Sequence, residues 1–204
     1  MPLSFSGLTR GLCPDNMVDK LKITTKISMI LLLTPFCLLL VSQRTNLYKI
    51  KPEVTTLYWI IILTLSIDQL IKYLVRNFMD YGQSIPIING FFQLTSHRNT
   101  GAAWGIFSGH KIFLISIALM VIVIGLIYSR KVTDKLTRIA FGFFIGGAMG
   151  NVVDRLIFGE VTDMFEVTFI NYPIFNTADV FLVCGVILFL ISTYKESRLE
   201  SNQS

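Results

Sequence analysis

Four stretches of this chain, residues 57–75, 112–128, 137–158 and 178–194, are dense in Leu, Ile, Val and Phe. Each approaches the roughly 20 apolar residues that a helix needs to cross a bilayer. Hydrocarbon offers backbone N–H and C=O groups no water, so a spanning stretch of this kind must satisfy them internally, as a helix does. The 204 residues are 52% hydrophobic and 15% charged, well below the charge of about 25% in soluble domains. These features predict an all-α polytopic membrane protein with four transmembrane helices in one domain.

The net charge of +5 invites a nucleic-acid reading, but the placement of the charges opposes it. Between the second and third apolar stretches lies RKVTDKLTR, with Arg130, Lys131, Lys135 and Arg138 against Asp134. Short basic loops stay in the cytoplasm. Lys49 and Lys51 before the first helix and Lys195 and Arg198 after the last agree with that. Both ends of the four-helix unit are therefore expected inside and the two longer loops outside, with no nucleic-acid partner. Cys13, Cys37 and Cys184, with His97 and His110, show no ligand spacing, so neither a disulfide framework nor a metal site is expected.

Residues 1–50 form an N-terminal extension whose role the sequence leaves open. Its apolar run, 27–41, is short for a span, contains Pro35, and has basic residues on both sides. Residues 51–196 make up the four-helix unit, and 197–204 are expected to form a cytoplasmic tail.

Polar residues gather at the outer ends of the helices. Asp68 and Lys72 are four apart, hence on one face of the first helix; a structural ion pair is the simplest role. In the third helix Gly142, Gly146 and Gly150 form a small-residue ridge for close helix approach. It leads to Asn151, Asp154 and Arg155, expected to brace the scaffold, with Arg155 suited to pairing with a carboxylate and Asp154 expected to act through Arg155 and neighbouring polar groups. Asp179 falls in the first turn of the fourth helix, where the helix dipole favours a carboxylate, and Asn176 or Thr177 is available as N-cap. Asp163 is expected on the polar loop before it. Asn89-Gly90, between two β-prone runs, signals a hairpin. Beyond it Asn99, Gly101, Ala102 and Ala103 suggest room for a ligand to approach the backbone.

Two carboxylates held close cannot both ionise easily, so they share a proton. Such a pair activates water without metal or cofactor, as in aspartic proteases. Spacing alone does not bring Asp163 and Asp179 together. A proton-relaying transporter or channel and a non-catalytic lipoprotein-binding chaperone remain alternatives. A relay, however, needs ionisable groups strung across the membrane rather than crowded at one rim.

The ordered motifs DQLIK, HRNTGAAWGIF, GGAMGNVVDR, GEVTD and FNTAD, spread over residues 57–194, resemble those of lipoprotein signal peptidase, the type II signal peptidase of bacteria. The resemblance implies an intramembrane aspartyl endopeptidase with four transmembrane helices and a small extracytoplasmic β-cradle, in the bacterial cytoplasmic membrane. It implies Asp163 and Asp179 as the catalytic dyad. Asp68, Lys72, Asn99, Gly101, Asn151, Asp154, Arg155 and Asn176 would bind substrate or support the site. The implied substrate is a diacylglyceryl-modified prolipoprotein met in membrane lipid, cut just before the lipidated cysteine by a monomer. Thr162, Met164 and Val180 depart from the usual pattern beside the two aspartates, and the extension is not expected in the family.

Overall fold

A computed structural model describes residues 52–202, which form four long helices and a three-stranded antiparallel sheet. Helix α1 (Pro52–Phe78) leads into strands β1 (Ser84–Ile88) and β2 (Phe92–Asn99). A 3₁₀ turn (Ala103–Gly105) precedes α2 (Lys111–Ser129), α3 (Lys135–Ile157), β3 (Val161–Val167) and α4 (Thr177–Ser201). The extension at 1–50, with Cys13, Cys37 and the run 27–41, lies outside the described residues.

All four helices are long and apolar enough to cross a membrane; all begin before the apolar stretches that announce them, and three also run past their ends. Hydropathy marks the part of a helix in hydrocarbon, whereas backbone hydrogen bonding continues into the wet ends. Thus α4 passes beyond residue 194 through Lys195, Glu196, Arg198 and Glu200 before it stops. On α2, Ile112, Ile117, Met120, Val123 and Ile127 are exposed, an apolar surface that suits lipid rather than water.

Helix α3 is the hub, packed against α1, α2 and α4, and glycine makes that possible. A Cβ on Gly142 would meet the Ile60 side chain at 2.7 Å, and one on Gly150 would overlap the Asp68 carboxylate. On the opposite flank, a Cβ on Gly147 would lie 2.5 Å from the Ala178 carbonyl of α4, and one on Gly185 of α4 would lie 2.8 Å from the Phe144 backbone nitrogen of α3. The small-residue ridge read from the sequence is the seam between α1 and α3. Gly146→Ala is expected to pry that seam apart, because the added methyl would overlap the Thr64 hydroxyl and touch the Ile61 carbonyl. Overpacking of this kind costs about 1–3 kcal/mol. Thermal melting of the purified protein should drop, and adding Thr64→Ala should recover part of the loss; an unchanged melting temperature counts against this packing.

At the far end of α3, Asp134 is the N-cap, accepting from the Thr137 amide at 2.8 Å and the Ser192 hydroxyl of α4 at 2.7 Å. Those bonds, Ser192's first, hold its carboxyl down at about 2.

The hairpin turns at Asn89-Gly90, as expected, with Gly90 at φ +72°. The sheet order is β1-β2-β3, and β3 pairs with β2 so that Gln93 faces Glu166, His97 faces Asp163 and Asn99 faces Val161. Asp163 is therefore in the middle of a strand and not on a loop. The strand is hard to see in sequence because both of its faces are occupied. Met164, fully buried, packs with Val75 and Met79 at the end of α1, while alternate residues point to the other side.

Candidate active site

Helix α1 presents a ladder at four-residue spacing: Asp68, Lys72, Arg76. Lys72 is buried and lies 2.9 Å from Asp68 and 3.7 Å from Asp154, while Arg76 lies 3.3 Å from Asp154. Two acids and two bases thus sum to zero in a water-poor region, the arrangement that makes buried charge tolerable. Gln69 donates to Asp154 Oδ1 at 3.1 Å and the Thr162 amide to Oδ2 at 2.9 Å. Arg76 also donates to the Thr162 hydroxyl and covers the Phe158 ring, 3.4 Å from its centroid. Sequence reading reached Asp68 and Lys72 but missed Gln69 and Arg76. The signal was there: Arg76 continues the four-residue step just past the point where hydropathy falls.

Asp154 does not pair with Arg155. Adjacent helical residues point about 100° apart, so Asp154 turns to α1 while Arg155 turns to the opposite side. There Arg155 donates to the Gly101 carbonyl at 2.7 Å and the Asn151 carbonyl at 3.4 Å, and its Nε is buried with no partner among the described residues. Asn151 and Asp154 do share a face, as their spacing requires, since Lys72 approaches both. A Cβ on Gly101 would lie 2.8 Å from the Ile106 carbonyl, so the chain's own backbone takes the room that a side chain there would need.

Asn176 is the N-cap of α4 and closes a capping box with Asp179. Its Oδ1 accepts from the Asp179 amide at 3.1 Å, and Asp179 Oδ2 accepts from the Asn176 amide at 3.1 Å. The same Asn176 side chain donates to Asp163 Oδ1 at 2.7 Å. One asparagine thus ties the strand aspartate to the helix aspartate. Thr177, the other cap candidate, instead donates its hydroxyl to Asp68 at 2.9 Å. Asn99 donates to Asp163 Oδ2 at 2.9 Å, and Asn151 donates to Asp179 Oδ1 at 2.8 Å. Among the described residues, each carboxylate oxygen thereby accepts one hydrogen bond from the protein.

Both aspartates line a cleft of about 310 Å³ with Asn99, Asn151, Arg155 and Asn176 as its polar wall. Its apolar lining includes Ala102, Ala103, Val161, Tyr172 and Phe175. Burial pushes the Asp163 carboxyl from 3.8 up to about 6; bonds from Asn176 and Asn99 oppose the rise, and the nearby Asp179 adds to it. A carboxyl raised in the folded state stabilises the fold below its unfolded value, and that contribution disappears as pH rises through 6. A shift of this size corresponds to about 3 kcal/mol. Wild type is therefore expected to lose stability relative to Asp163→Asn between pH 4 and pH 7. Parallel melting curves across that range would contradict the burial of Asp163.

The sequence model of the Signal peptidase (SPase) II family matches residues 60–195, a span that holds every side chain of the cleft and of the buried cluster. The chain belongs to the signal peptidase II family. It is similar to the lipoprotein signal peptidase of Bacillus subtilis (strain 168), 45% identical over 144 residues that make up 69% of this chain and 94% of that protein. The lipoprotein signal peptidase of Brevibacillus brevis (strain 47 / JCM 6285 / NBRC 100599) is 40% identical over 144 residues, covering 69% and 96%. Two bacterial membrane enzyme structures determined by the in meso method, at 2.3 Å and 1.9 Å, share the fold at 34% identity. Their TM-scores are 0.64 and 0.61, over 71% and 69% of this chain and 90% and 93% of theirs. With four helices among the described residues long and apolar enough to span, this member of the family is a multi-pass bacterial membrane protein and a protease.

Proposed function

We propose that this peptidase removes the signal peptide from diacylglyceryl-modified prolipoproteins, cutting just before the lipidated cysteine, with Asp163 and Asp179 as an aspartyl dyad. The observation that carries the reading is the convergence of two carboxylates, one from β3 and one from α4, on a single cleft through the shared partner Asn176. In this reading the pair holds one proton between them, favoured by the burial and proximity that lift Asp163. The ionised carboxylate takes a proton from water as the water oxygen bonds to the scissile carbonyl carbon. The protonated carboxyl gives its proton to the carbonyl oxygen. Collapse of that adduct breaks the C–N bond, and a proton passes to the leaving cysteine amine.

In this reading the basic loop around 130–138 lies in the cytoplasm, as the positive-inside rule favours, and the cleft at the other end of the bundle faces the extracytoplasmic side. Such a site stands at the depth where a lipid-anchored cysteine lies. The monomer contains every group the reading uses.

The test is a gel-shift assay of the purified protein on a diacylglyceryl-modified prolipoprotein in the presence of chelator, with the product mass locating the bond. Cleavage before the modified cysteine supports the proposal; an intact substrate with well-folded enzyme overturns it.

A further inference from the structure

The three asparagines that touch the two aspartates share one constraint. A carboxamide has an acceptor end and a donor end, and only the donor end can serve an ionised carboxylate. Something must hold the oxygen end away. For Asn176 it is the Asp179 backbone amide on Oδ1, at 3.1 Å. For Asn99 it is the Gly101 backbone amide on Oδ1, at 2.9 Å. For Asn151 it is a side chain, the Lys72 ammonium on Oδ1 at 2.9 Å.

From this pattern we infer that Lys72 is a positioning residue for the proposed reaction: it fixes the carboxamide of Asn151 so that its NH₂ faces Asp179. An ammonium has three donors and no acceptor, so it rejects the flipped amide outright. Its own place is set by Asp68 at 2.9 Å on the preceding turn, and Asp68 is in turn held by Thr177 at 2.9 Å. The run Thr177, Asp68, Lys72, Asn151, Asp179 begins and ends in the first turn of α4. With an apolar side chain at position 72, either orientation of Asn151 becomes available. The flipped one sets carboxamide oxygen against carboxylate oxygen.

This inference rests on the dyad reading, and its test separates the two. Changing Lys72 or Asp68 alone leaves the other's charge unbalanced in the interior, so the two are changed together. Asp68→Asn/Lys72→Met removes both charges and leaves Asp154 with Arg76. Asp68→Asn/Lys72→Gln does the same but keeps a donor at position 72. Loss of an outer positioning contact of this kind typically lowers activity by about 10–100-fold. Relative to the Gln pair, the Met pair is expected to lose kcat in that range with KM little changed and melting temperature preserved.

A Met pair that matches the Gln pair in kcat at equal stability overturns the inference. A Met pair that fails to fold where the Gln pair folds also overturns it, because position 72 then serves the fold. If wild type does not cleave, or if Asp163→Asn and Asp179→Asn cleave normally, it is the dyad reading that fails.

Discussion

Asp163→Asn and Asp179→Asn are each expected to lower prolipoprotein cleavage by roughly 10⁴-fold or more, the scale seen when one member of a catalytic unit is deleted. Neither change should unfold the protein. Asn is the same size as Asp and still accepts one of the two hydrogen bonds at each site. At Asp179 the helix cap survives, because Asn176 Oδ1 takes its bond from a backbone amide. At Asp163 one of the donors from Asn99 and Asn176 loses its acceptor, but the cost of burying an ionised carboxylate is relieved as well. Rates from the gel-shift assay and melting curves of the same preparations check both halves. Either variant retaining a tenth of wild-type cleavage would remove its aspartate from the chemistry.

Asp154→Ala should fail differently, through the fold. Asp154 is fully buried and gathers Arg76, Lys72, Gln69 and the Thr162 amide around one carboxylate. Taking it away leaves a surplus positive charge and several donors without an acceptor inside the bundle. Breaking a buried pair from one side costs about 3–5 kcal/mol, a large part of the 5–15 kcal/mol by which a typical protein is stable. Membrane yield and melting temperature should both fall sharply. If the variant is purified at wild-type yield, melts with wild type and yet does not cleave, Asp154 belongs to the reaction and not to the scaffold.

The membrane-spanning fold was legible because hydrocarbon allows so few solutions: long apolar stretches become helices, and their glycines become contact seams. The hairpin was legible from Asn89-Gly90 for the equally local reason that its turn needs a positive φ. Strand β3 was not, since its residues are buried on both faces by partners far away in sequence. Among the site residues, Asp163, Asp179, Asn151 and Asn176 are joined by hydrogen bonds that their spacing along the chain does not reveal. Which base serves Asp154 was misjudged because adjacency along the chain is not adjacency on a helix. Arg76 escaped notice because hydropathy stops where a buried cation begins. The oxygen-side partners of the three asparagines had no sequence signal, as each depends on backbone geometry or on a helix packed alongside.

Asn176 holds Asp163 with the same side chain that starts α4. Biosynthesis inherits a safeguard from that economy. A nascent chain that has inserted three helices contains Asp163 but has neither Asp179 nor a wound first turn in α4 to set Asn176 against it. In the dyad reading proposed above, hydrolytic competence arrives with the last helix, as one event with its winding, and an unfinished chain in the membrane is inert toward the signal peptides around it.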